Sequence, residues 1–155
     1  MKKTNHQLTD STATRKLQIT IVICSIIFTI GTAIHNFIII NPQLIETMMQ
    51  MAGVANPADE ALDFTFVFRI VGSIYILVNA LGILALNSRS RLLCCVILVV
   101  NITQATGPIM TAGNDVYGVQ GILPSAITDG GAFILSLVMI ISMLKFRTAW
   151  AQIHS

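Results

Sequence analysis

Charge is scarce in this chain. It has 9 Lys and Arg and 7 Asp and Glu in 155 residues, or 10% charged, against roughly one quarter in soluble domains. A water-soluble fold of this size could not cover itself with so few charges. Hydrophobic residues make up 54%, so most of the chain is expected in a lipid bilayer. No basic stripe accompanies the net charge of +2, and no nucleic-acid partner is expected. Cysteine is also sparse. Cys24, Cys94 and Cys95 form no CxxC motif and read as small hydrophobes in a reducing half of the membrane; a thiol relay between Cys24 and Cys94 is the sharper alternative. His35 is the one histidine inside an apolar run, with His6 and His154 near the ends. A two-histidine haem would therefore need two subunits. There is no metal cluster, phosphate loop, Ser-His-Asp arrangement or spaced carboxylate pair, so no cofactor is expected and enzymatic activity is the less favoured reading. Met48, Met49, Met51 and Met110 lack the spaced repeats of a soft-metal site and read as packing residues.

What the chain has is long apolar runs. A helix needs about 20 apolar residues to cross a bilayer, and four segments approach that length: 17–40, 64–86, 92–110 and 129–145. The expected architecture is an all-α, integral-membrane four-helix bundle. It is one domain, 17–147, between a polar tail at 1–16 and a second tail at 148–155. Asn41-Pro42 ends the first span, because proline disfavours helix in the residue before it. The stretch from Pro42 to Gly53 reads as a short amphipathic helix in the first outer loop, with Leu44, Ile45, Met48, Met49 and Met51 on its apolar side. Asn56-Pro57 opens the second span, with Asp59 and Glu60 in its first turn where the helix dipole favours anions. In the third span Pro108 leaves the Gln104 carbonyl without its usual donor, predicting a kink. Turn signals fill the loop that follows, and Thr128 or Asp129 reads as the N-cap of the fourth span.

Orientation follows from Lys and Arg, which concentrate on the cytosolic side. Lys2, Lys3, Arg15, Lys16, Arg89, Arg91, Lys145 and Arg147 all fall on one side of a four-span arrangement. Both termini are then cytosolic, in a multi-pass protein of the cell (inner) membrane. Glu46, Asp59, Glu60, Asp63 and Asp115 fall outside and make the outer mouth electronegative.

Arg69 stands alone inside the second span, where a cation normally faces a bundle interior, a cavity or the headgroups. A stripe at helical spacing through Arg69, Gly72, Ser73, Ile76, Ala80 and Asn87, with Asn79 at its edge, is expected to face inward. Val67, Ile70, Ile74, Leu77, Leu81 and Leu84 are expected to meet lipid. The inward stripe of the first span is read through Thr20, Cys24, Gly31 and His35, and that of the third through Cys94, Asn101, Gln104, Ala105 and Pro108. Asp129 heads the fourth span at about the depth of Arg69, so the two are expected to pair. The rival arrangements are snorkelling to Asp63 or the headgroups, and contact with an anionic ligand.

Arg69 with Gly72, the basic turn with Arg89 and Arg91, and Asp129 at the head of the fourth span resemble the pattern of small four-helix bacterial membrane proteins of the DoxX-like and related uncharacterised families. The resemblance covers roughly residues 64 to 144. It implies an integral-membrane protein linked to redox or small-molecule handling, and it supplies no catalytic residue.

The functional expectation is a bundle that binds or carries a small or lipid-like molecule in its outer half, with His35, Arg69, Asn79, Asn101, Gln104 and Asp129 as candidate ligand contacts. The alternatives are an assembly subunit, which would use Gly31, Gly72, Gly82, Gly130 and Gly131 for close contact with a membrane partner or a second copy, and a membrane enzyme or redox accessory. The topology predicts that reporters fused after Ser155 and at Ser88 read cytosolic and that one at Ala55 reads outside. An outside signal at Ser155 would remove a span.

Overall fold

A computed structural model describes residues 8–106 and 126–154. Among the described residues the protein is all-α apart from one two-residue strand pair. Its helices are α1 (Thr12–Ile34), α2 (Pro42–Met51), α3 (Pro57–Leu81), α4 (Arg91–Ala105) and α5 (Gly131–Phe146). Tighter or wider turns extend three of them. A π-helical turn (His35–Ile39) continues α1, a 3-10 segment (Gly82–Leu86) continues α3, and a second π-helical turn (Ala126–Gly130) leads into α5. Three of these continuous helices, Thr12–Ile39, Pro57–Leu86 and Ala126–Phe146, are long and apolar enough to cross a membrane. The 15-residue α4 is shorter than the span predicted over 92–110; the remainder of that span, the Pro108 kink and the loop after it lie outside the described residues.

Local sequence explains the ends of α2. The Asn41 side chain accepts from the Leu44 amide at 3.0 Å, Pro42 takes the first helical position, and Gly53 leaves the helix at φ 74°, where a β-carbon would be strained. Ile45 is buried with Ile40 and Ala61, while Leu44, Met48, Met49 and Phe68 close over them. The amphipathic helix thus rests on α3, and two of its methionines pack there. At the start of α3, Asn56 holds the cap position and Pro57 the first turn, as the sequence predicts, but the Asn56 side chain makes no capping bond.

The main core lies between α1, α4 and α5, with Ile21, Phe28, Cys94, Leu135 and Met139 at its centre. Around it the surface is oily. Val67, Ile70, Ile74, Leu77, Leu81 and Leu84 of α3 are all exposed, as are Ile23, Ile30 and Ile38 of the first helix and Ile134, Ile141 and Leu144 of the last. An apolar exterior on this scale needs lipid rather than water as its solvent.

The described parts of the expected tails, residues 8–16 and 148–154, are tied into the bundle. Ser11 caps α1 with a reciprocal pair of bonds to Thr14, so the helix begins five residues before the predicted 17. Leu8 and Thr9 pair antiparallel with His154 and Ile153. The Ser11 and Thr14 hydroxyls both donate to the Ala151 carbonyl, at 2.8 and 2.9 Å. Trp150 is completely buried, and its indole donates to the Ser90 carbonyl at 3.0 Å. Arg89 forks onto Asp10 in the one salt bridge among the described residues. The guanidinium hydrogen bonds hold the Asp10 carboxyl below the usual carboxylate range, although both side chains are partly exposed. The two ends of the described chain and the α3–α4 turn therefore form one knot at one end of the bundle. Its physical cause is the indole, which needs both an apolar enclosure and an acceptor.

Emptying that enclosure should be costly. Trp150→Ala is expected to destabilise the protein by about 3–5 kcal/mol, read as a lowered unfolding midpoint in detergent. A change under about 1 kcal/mol, the scale of a surface contact, would show that the knot is an ornament on an independently stable bundle.

Candidate functional site

At the end opposite the knot, a cavity of about 410 Å³ opens between the helices. Thr32, His35 and Asn36 line it from the first helix, and Phe68, Val71, Gly72 and Tyr75 from α3. Thr103, Gln104 and Thr106 come from the end of α4, and Thr128 and Asp129 from the start of the last helix. His35 with Asn36, and Thr128 with Asp129, sit in the two π-helical turns found among the described residues. A π-turn spaces its bonds five residues apart, as in the Ile40 amide to the His35 carbonyl at 2.9 Å, and such turns recur at functional sites.

Behind the cavity wall runs a chain of amides. Asn79 Nδ2 donates to Gln104 Oε1 at 3.0 Å, and Gln104 Nε2 reaches the Thr32 hydroxyl at 3.5 Å. One glutamine thus ties α4 to α3 and α1. Asn36 is 1% exposed; its Nδ2 donates to the Arg69 carbonyl at 3.2 Å. That bond fixes the amide orientation and leaves Oδ1 without a partner among the described residues, as is His35 Nε2. The Asn36 amide lies so close to Gly72 that a β-carbon there would overlap it. His35 also meets the Phe68 ring edge-on at 6.1 Å. Asp129 Oδ1 accepts from the Thr128 hydroxyl at 3.0 Å, and His35 and Gln104 are its other polar neighbours.

Three of the six predicted contacts, His35, Gln104 and Asp129, line the cavity together. Asn79 supports it through Gln104. Asn101 is buried deeper on α4, donating to the Ile97 carbonyl at 2.8 Å with its Oδ1 unpartnered. Arg69 is elsewhere: its side chain is exposed and borders a separate cleft with Pro42, Asp63 and Thr65. The expected Arg69–Asp129 ion pair is therefore not formed. The inward face of α3 runs through Ala61, Thr65, Gly72 and Asn79, a rotation that turns the long charged side chain outward toward a wetter depth. Asn87 and Thr20, also assigned inward, are exposed. Thr128 and Asp129 lie inside the first turn of the last helix rather than capping it.

Asn36, Thr32, Thr128 and Tyr75 were missed by the sequence reading. For Asn36 the signal was present: it is the amide beside His35 in an otherwise apolar run.

Comparison of the chain with family models, curated proteins and solved structures finds no match. The resemblance to DoxX-like proteins gains no support, and the site rests on its own geometry.

The Asn79–Gln104 bond predicts a measurable coupling. In a double-mutant cycle with Asn79→Leu and Gln104→Leu, the interaction energy is expected near 0.6 kcal/mol, about the average for interhelical hydrogen bonds in membranes. Strict additivity in detergent unfolding would show that the two amides do not act on each other.

Proposed function

We propose that this protein is a multi-pass protein of the cell membrane that binds or carries a small or lipid-like molecule in the cavity between its π-turns, without catalysing a reaction on it. The observation that carries the reading is the cavity itself, where the polar side chains of His35, Tyr75, Gln104 and Asp129, from four helices, converge on one space. A polar group shut off from water without a bond costs about 1–3 kcal/mol, and a ligand that bonds these groups offsets that cost. The cavity volume falls within the range of about 300–1,000 Å³ usual for small-molecule sites.

The topology we propose has four crossings and cytosolic termini. Its support is the distribution of Lys and Arg, together with the knot that joins Leu8–Thr9, the 87–90 turn and Ile153–His154 at one end. The cavity then faces the outer half of the bilayer. The alternative of an assembly subunit draws on the glycines, but four of these five already meet neighbours inside the chain: Gly31 meets Thr128, Gly72 meets Asn36, Gly82 meets Ser25 and Gly131 meets Phe28. They leave little small-residue surface for a foreign helix.

Native mass spectrometry of the full chain purified in mild detergent tests the reading. A small bound mass is expected on a monomer or homodimer. Val71→Trp, at the exposed rim of the cavity, should reduce the bound fraction at least about 10-fold with an unchanged unfolding midpoint. Recovery of a stoichiometric foreign subunit, with no small mass on the wild type, would overturn the proposal in favour of assembly.

A further inference from the structure

The chemistry of the cavity wall narrows what can occupy it. Its one acidic group among the described residues is the Asp129 carboxylate, while Asn36 Oδ1 is buried against Gly72 and closed to the open space. The hydroxyls of Thr103 and Thr106 point their protons at backbone carbonyls of their own helix, at 2.9 and 2.6 Å. Among the described residues no cation lies within ion-pair distance of the carboxylate. The one salt bridge among the described residues is at the other end of the bundle, the Arg69 side chain lies in another cleft, and the His35 ring is beyond ion-pair distance of Asp129. Phe68 and Tyr75 add aromatic surface to the same wall. An anion would meet a carboxylate there, with the His35 ring the one basic side chain on the described wall. A neutral apolar molecule would leave the carboxylate with neutral hydrogen-bond partners only.

We propose that the cavity is a site for an organic ammonium group, with Asp129 as its charge partner and Phe68 and Tyr75 flanking its carbon skeleton. The inference rests on the reading of the cavity as a ligand site and deepens it. A charge-assisted hydrogen bond is about twice as strong as a neutral one, and aromatic rings favour a cation over their faces. Asp59, Glu60 and Asp63, on the first turns of α3, raise the local concentration of cations at that end of the molecule. An ammonium can arrive as a free amine or as the headgroup of an ethanolamine lipid; both present N–H donors on a positive nitrogen.

The test uses the full chain in phosphatidylglycerol nanodiscs and three probes of nearly equal shape: 2-phenylethylammonium, 2-phenylethanol and phenylacetate. Calorimetry is expected to show the ammonium binding at least about 10-fold more tightly than the alcohol and the carboxylate not binding. Asp129→Asn should erase the preference for the ammonium over the alcohol, and Asp129→Glu should retain it. Because the ranking of the three probes on the wild type needs no variant, a misfolded Asp129→Asn does not blunt the test. Repeating the titration with phosphatidylethanolamine in the nanodisc separates the sources: competition assigns the site to the lipid headgroup, and undiminished binding to a free amine. Equal or tighter binding of the alcohol overturns the ammonium assignment and leaves the cavity a ligand site. If none of the three probes binds, both readings fall.

Discussion

Hydrocarbon offers a buried polar group no water to bond with, and the arrangement of this bundle follows from that constraint. The side-chain amide of Gln104 meets it by bonding two other helices at once, Asn79 on α3 and Thr32 on α1. Those bonds set the rotation of α3 about its own axis. With Asn79 and Gly72 inward, the Asn36 amide can reach the Arg69 carbonyl, and the leucines and isoleucines on the opposite side are left to the lipid. Gln18 does similar work nearer the knot, donating to the Ala85 carbonyl in the 3-10 segment. A 3-10 turn rises about 2.0 Å per residue against 1.5 Å in an α-helix, so the final turn of α3 is stretched to where that bond and the close contact of Gly82 with Ser25 can form.

The two ends of the molecule manage polarity in opposite ways. At the knot, backbone carbonyls of Ala151, Ser90 and Ala149 each receive a side-chain donor. At the cavity, polar side chains line an open space, and His35, Asn36, Thr128 and Asp129 among them sit in the two π-helical turns. One end is closed by many small bonds and one large indole; the other keeps its polar groups turned toward a space.

The sequence made some of this legible and hid the rest for physical reasons. The apolar runs 17–40, 64–86 and 129–145 marked the long helices, because length and composition alone suffice there. The lipid-facing row from Val67 to Leu84 and the buried amides Asn101 and Gln104 followed from a 3.6-residue period. The same period misplaced Arg69, because the stripe was drawn through the strongest charge. A flexible charged chain reaches outward from a helix flank, whereas the short Asn79 and Gly72 have no reach and must face their partners. Neither π-turn has a local sequence signature, so the convergence of Asn36 with Asp129 was out of view. The ends were read as tails because two-residue strands carry no periodicity. Their one clue was the lone tryptophan at 150, an expensive residue to leave in a solvated tail.

The knot also sets the order in which the molecule can be completed. Thr9 bonds a carbonyl 144 residues further along the chain, at Ile153. At about 5–20 residues per second of synthesis, the first helix waits roughly 7–29 s in the membrane before the segment that binds its entry turn exists. During that interval the Ser11 and Thr14 hydroxyls have only each other and water, and the floor on which Trp150 will sit stands open. The amide ladder between α1, α3 and α4 needs nothing beyond residue 104, so these three helices can register against one another while the lock is still being made. The last helix then arrives at a partly assembled surface, and the segment that follows it closes the knot on Ser11, Thr14 and Ser90.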